Sequence, residues 1–283
     1  MFKLKFLVMQ ICAHFLLITA CHAENLNLIG VDGATLKFSE WDQNLAVWKQ
    51  ITFSKNNLEF SLYESGPHYL VGGGTTSSSR DPDGKYTLIQ RTVFGELGDG
   101  QQIVRTEKSY CDLVSLTTGC VLLTRPAAAC SGSWKEGKWS TDEGEIIKPL
   151  VETISPGALV QSVAAVSDAK SRAMAIKDQI FMGASSYMSC YPPKKNVRAL
   201  NDLGFFLAQA GDDSSALELY RGIELIGKRT VLMLNIADSL WNMEKKAEAI
   251  KYYKLYSDEM NSEEKGDKIP IRVYERSKPT VPQ

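Results

Sequence analysis

LNDLGFFLAQAGDDSSALELY, residues 200–220, and MLNIADSLWNMEKKAEAIKYY, residues 233–253, are the two segments whose comparison decides the fold. Laid over each other they pair Leu203 with Ile236, Gly204 with Ala237 and Leu207 with Leu240. They also pair Gly211 with Glu244, Ala216 with Ala249 and Tyr220 with Tyr253, always 33 positions apart. A fixed period of that length marks a repeated supersecondary unit. The small residues Gly204, Ala216, Ala237 and Ala249 let paired helices approach closely. Leu203, Leu207, Leu217, Ile236, Leu240 and Ile250 fall at helical spacing to fill the seam between them. Gly211-Asp212-Asp213 ends one helix and starts the next.

The order within each copy is a small residue after an aliphatic, a turn, then Ala followed four places on by an aromatic. It resembles the tetratricopeptide repeat (TPR), over residues 196–260. Leu200 and Met233 stand where that family favours Trp, Glu244 stands at a turn where Gly is common, and both copies lack the helix-ending Pro. Each repeat buries its apolar face on its neighbours, and about three are needed for stability, so flanking helices must complete the stack. The resemblance implies a concave, partner-binding face lined by the first helix of each unit. Its positions are Arg198, Asn201, Phe205 and Gln209 in the first copy, then Leu234, Asp238, Trp241 and Asn242 in the second. Asn201 and Asp238 are expected to bear on binding more than on packing.

The chain is 44% hydrophobic and 23% charged, with a formal charge of −1, which fits a globular protein and not a nucleic-acid surface. Residues 1–23 read as a signal peptide: Lys3 and Lys5 form a positive start, Phe6 to Ala20 an apolar run, and small residues follow. Two cleavage sites overlap. Cys21-His22-Ala23 fits cleavage before Glu24, whereas Ile18-Thr19-Ala20-Cys21 resembles a lipoprotein box that leaves Cys21 acylated. Either reading exports the chain to a bacterial periplasm, and the second anchors it at the outer membrane.

Beyond the leader, Cys111, Cys120, Cys130 and Cys190 form an even set in an oxidising compartment and read as two disulfides, with three connectivities open. If all four pair, at least one bond crosses from the first half to the second. The first half is strand-like. Leu58, Phe60 and Leu62 alternate with polar residues after the turn Lys55-Asn56-Asn57 and read as a half-buried strand returning on 47–53. A Gly- and Ser-rich loop, 72–83, precedes three meander strands at 85–96, 101–116 and 120–123. Trp134 and Trp139 flank Glu136-Gly137 in a last hairpin beside Cys130. Residues 158–166 and 168–188 have helical spacing and read as one or two helices, and 271–276 as a short capping helix. The whole is an α+β chain: an antiparallel β-rich domain (24–150), a helical connector (151–195) and a TPR-like helical array (196–283).

Catalytic signals are sparse. Apart from His22, His68 is the only His beyond the leader, and it follows Gly66-Pro67 in a loop. Gly72-Gly73-Gly74 lacks the Lys-Ser or Lys-Thr of a phosphate cradle. No catalytic residue, cofactor or metal site is expected, and no nucleic-acid partner. The expectation is a non-enzymatic binding protein of the bacterial envelope, in its narrowest form an immunity protein that neutralises an interbacterial toxin. The alternatives are an envelope assembly or secretion adaptor and a hydrolase with an unrecognised site.

Overall fold

The computed structural model describes residues 26–63, 69–72, 79–98 and 103–277. The leader with Cys21 and His22, the loop carrying His68, and Gly73-Gly74 lie outside the described residues. Antiparallel sheets occupy the first half and a helical array the second. The main sheet comprises β1 (Leu26–Ile29), β2 (Thr35–Asp42), β3 (Val47–Lys55), β4 (Leu58–Ser61), β5 (Tyr69–Gly72), β6 (Tyr86–Gly98), β7 (Ile103–Ser115) and β8 (Val121–Pro126). Its order is β1-β2-β3-β5-β6-β7-β8, and β4 pairs with β3 off that path. β3 thus serves two strands along one edge: Val47 and Trp48 face β5, and Thr52–Lys55 face β4.

A small sheet of β9 (Gly132–Lys135), β10 (Lys138–Thr141) and β11 (Ile146–Ile147) follows. Glu136 and Gly137 both have positive φ, +49° and +71°, as a tight two-residue hairpin requires. Trp134 and Trp139 pair directly across that hairpin and meet edge to face at 5.5 Å. The buried Trp139 donates its indole N–H to the Ala129 carbonyl at 2.7 Å. The hairpin therefore covers the Cys111–Cys130 disulfide, as the placing of the two Trp residues beside Cys130 predicts.

The helices are α1 (Pro156–Ala164), α2 (Ala169–Gln179), α3 (Ala184–Cys190), α4 (Pro193–Gln209), α5 (Asp213–Glu224), α6 (Thr230–Asn242), α7 (Lys246–Ser262) and α8 (Ile271–Arg276). α4 with α5 and α6 with α7 form two hairpins of like construction. Gly211 and Glu244, 33 residues apart, both turn the chain with positive φ. Ala216, Tyr220, Ala237, Ala249 and Tyr253 are all buried in one core, and Gly204 is buried against Tyr220. α1 and α2 pack on α4, α3 packs on α5, and α8 caps α7. α4 begins at Pro193, ahead of the expected 196, because proline suits a helix start where its missing N–H would have no partner.

The span 168–188, read from sequence as continuous helix, is two helices. The backbone leaves α2 after Gln179 and re-enters helix at Ala184 through Gly183, whose φ is +99°. The break sends Phe181 and Met182 into the sheet core, where Met182 is buried among Phe38, Phe53 and Leu116. Phe181 also lies 5.7 Å from the buried Arg91 guanidinium. Arg91 binds the buried Asp112 carboxylate at 2.6 Å, and Tyr63 and Thr124 donate to the same carboxylate at 2.9 and 2.7 Å. A buried ion pair needs such satisfied partners, and here they come from several elements.

Cys120–Cys190 joins the β7–β8 turn to the end of α3, so one disulfide does cross between the halves. Two disulfides fit an oxidising, extracytoplasmic setting. No helix among the described residues is long and apolar enough to cross a membrane.

Candidate recognition cleft between the two halves

The eight residues expected to line a concave face lie on α4 and α6, and their states differ. Arg198, Gln209 and Asn242 are exposed, and Phe205 is 45% exposed. Gln209 accepts from Arg172 at 3.2 Å, Arg198 lies 3.9 Å from Asp202, and Asn242 donates to Asp213 at 3.3 Å. Asn201 accepts from Asn235 at 3.0 Å and so ties α4 to α6. Leu234 and Trp241 are half-buried against the helical core, with Arg276 5.1 Å from the Trp241 ring.

Asp238 departs from its expected role. Its carboxylate accepts from Arg272 at 2.8 Å, from Arg276 at 3.1 Å and from the Tyr253 hydroxyl at 2.7 Å, so it holds the C-terminal cap in place. Burial, then the Asp238 carboxylate, push the Tyr253 hydroxyl well above its usual value, so it remains a donor. Substituting Asp238 would loosen α8, and packing is its first role.

A sizeable opening lies elsewhere among the described residues, between the β3–β4 hairpin and the α3–α5 side of the helices. It is a cleft of about 940 Å³. On the sheet side, Phe53 forms the floor, and Asn56, Asn57, Leu58, Glu59 and Phe60 form a continuous wall. The Phe53 and Phe60 rings lie 5.3 Å apart under Gly119 of the β7–β8 turn. A Cβ on Gly119 would sit 2.6 Å from Phe53, and its φ is +73°, so only glycine closes the turn over those rings. On the helical side, Met188, Pro192, Pro193 and Leu217 carry the apolar wall, and Leu225 and Ile226 form its lip. Leu225 is 83% exposed and Leu58 48% exposed, large apolar side chains left in solvent on opposite walls.

One corner is polar. Arg221 donates to Glu224 at 2.8 Å and also binds Glu248 and the Tyr252 hydroxyl. Tyr252 donates to Glu224 at 2.7 Å. Burial, then the Glu224 hydrogen bond, raise the Tyr252 hydroxyl above its ordinary value. This cluster braces α5 against α7 and fixes the cleft's far end. Arrangements of this kind, mostly apolar with a few placed polar groups, are what binding sites present.

The structure thus places none of the expected face residues in the cleft. Leu217, partly buried against the helical core as the seam expectation has it, and Phe60, partly buried against the sheet core, also border the opening, and Leu58 lines it exposed. The fold and this opening define an α+β protein with a cleft where its two halves meet. No family model, curated protein or solved structure matches the chain.

Proposed function

We propose that this chain is an exported, non-enzymatic binding protein of the bacterial envelope. In this reading its helices include two TPR-like units, and the cleft between sheet and helices receives a segment of a partner protein. The observation that carries it is the 940 Å³ cleft with Leu58 and Leu225 exposed on its opposite walls, because apolar surface left in solvent at a junction marks an interaction site. The narrower proposal is an immunity protein whose partner is a toxin, and the broader is an envelope adaptor, lipid-anchored if Cys21 is acylated. Exposed Phe205 and Arg198 support a second reading, in which the α4 and α6 face binds.

A pull-down of the full protein from envelope extract separates these readings. Leu58→Glu/Leu225→Glu should lose a partner that Arg198→Ala/Phe205→Ala retains. The reverse pattern would move recognition to the α4 and α6 face, and retention by both variants would sink both readings. A captured toxin favours immunity, whereas a captured envelope component favours the adaptor.

A further inference from the structure

The cleft touches Leu58, Glu59 and Phe60 in succession. Leu58 and Phe60 share one sheet face with Lys55 and Phe53, their partners on β3, and the cleft lies over that face; Glu59 points the other way, so a cleft that also meets Glu59 reaches round to the strand's edge. β4 pairs with β3 alone among the described strands. The Leu62 N–H donates to the Ile51 carbonyl at 2.8 Å, which fixes the phase of that ladder. Hydrogen-bonded pairs alternate in antiparallel strands, so Phe60 and Leu58 face β3, while the N–H and C=O groups of Glu59 and Ser61 face away from it.

Charge narrows the occupant. Lys55, Arg221 and Lys245 are matched around the cleft by Glu59, Glu218 and Glu224, which gives no excess of cations to hold an anionic headgroup. An apolar floor, a balanced rim and an open row of main-chain donors and acceptors together suit an uncharged chain that carries its own backbone amides.

We propose that β4 is a strand-addition site. An extended peptide segment, apolar at alternate positions and without net charge, pairs its backbone with Glu59 and Ser61 and lays alternate side chains on Phe53, Phe60 and Leu217. The proposal rests on reading the cleft as the recognition surface and specifies how it recognises. Main-chain hydrogen bonds supply affinity in this mode, and pockets for alternate side chains supply specificity. Glu59 also keeps the free edge charged, which discourages pairing between copies of the chain.

The test uses the full protein and fluorescein-labelled octapeptides that alternate Thr with Val, Leu, Ile or Phe, each compared with its fully N-methylated form. Dodecyl phosphate serves as an anionic amphiphile probe. Wild type and Glu59→Ala should bind a subset of the parent peptides. Full N-methylation should abolish binding, and Glu59→Pro, which removes an outward N–H and leaves the β3 ladder intact, should weaken it at least tenfold. No binding by any parent peptide, equal binding of the N-methylated forms, or binding of dodecyl phosphate alone would overturn strand addition. The N-methylated comparison is made on wild-type protein and holds even if Glu59→Pro fails to fold. A cellular partner that is lost in Leu58→Glu/Leu225→Glu but kept in a folded Glu59→Pro variant would leave the recognition reading standing and retire strand addition.

Discussion

Glu244 holds a backbone conformation that its own side chain disfavours. Its φ is +59°, where Gly211 at the equivalent turn has +85°. A left-handed non-glycine residue costs about 1–2 kcal/mol, and the greater freedom of glycine in the unfolded chain takes part of that back. Glu244→Gly should therefore raise stability by roughly 0.5–1 kcal/mol, read as a higher urea midpoint at unchanged slope. Its carboxylate lies 2.6 Å from Lys246, but both groups are well exposed, and such pairs contribute little. A lowered midpoint would mean that the pair outweighs the strain. Gly204 gives the opposite case. A Cβ there would lie 2.4 Å from the buried Tyr220 ring, so Gly204→Ala should destabilise by about 1–3 kcal/mol in the same titration.

At the scale of the element, α5 depends on its N-cap. The Asp212 carboxylate accepts from the Ser215 N–H at 3.2 Å and lies 3.0 Å from Lys177 of α2. Burial acts to raise its pKa, but Lys177 and the Ser215 N–H outweigh it, and the carboxyl sits below the ordinary aspartate value of 3.8. A depressed folded-state pKa gives stability that is complete above that ordinary value and is lost as pH falls through the lower folded value. Asp212→Ala should cost about 1 kcal/mol at neutral pH. The gap from wild type should persist to mildly acid pH and narrow only below about pH 4, as thermal melts across pH would record. A gap that closes by about pH 6 would refute this assignment.

Elements were legible in the sequence where local chemistry sets them. The strands follow alternation and turn residues, the α4–α7 hairpins follow the 33-residue period, and Ile271–Arg276 does form a cap. The break before α3 had one local sign, Gly183 within an otherwise helical pattern, and its cause is remote: Phe181 and Met182 are drawn into a core built by the sheet. The cleft had no local sign. The alternation of Leu58, Phe60 and Leu62 is that of a half-buried strand, yet burial falls off along it: Leu62 is fully buried, Phe60 partly so against Phe53, and Leu58 is exposed at the cleft, whose far wall belongs to α3 and α5. The engagement of Asp238 by Arg272 and Arg276, 34 and 38 residues away, likewise depends on how α8 folds back.

For the whole molecule, the two disulfides should contribute unequally. Cys120–Cys190 spans 70 positions and Cys111–Cys130 spans 19. On chain entropy alone, Cys120→Ser/Cys190→Ser should lose about 4 kcal/mol and Cys111→Ser/Cys130→Ser about 3. Chemical denaturation of the two double variants should rank them in that order. The reverse order would show that local packing under Trp139 outweighs loop closure.

Cys120–Cys190 also makes a covalent ring of the intervening chain, with β8, the small sheet and α1–α3 all inside it. A protease that cuts the exposed turn at 142–145 cuts within that ring, so it opens the loop without parting the molecule. The nicked protein should migrate as one species in a non-reducing gel and fall into two fragments once thiol is added. Damage to that turn would go unseen by any assay that reads size alone under oxidising conditions, and the cut protein would keep its cleft walls joined.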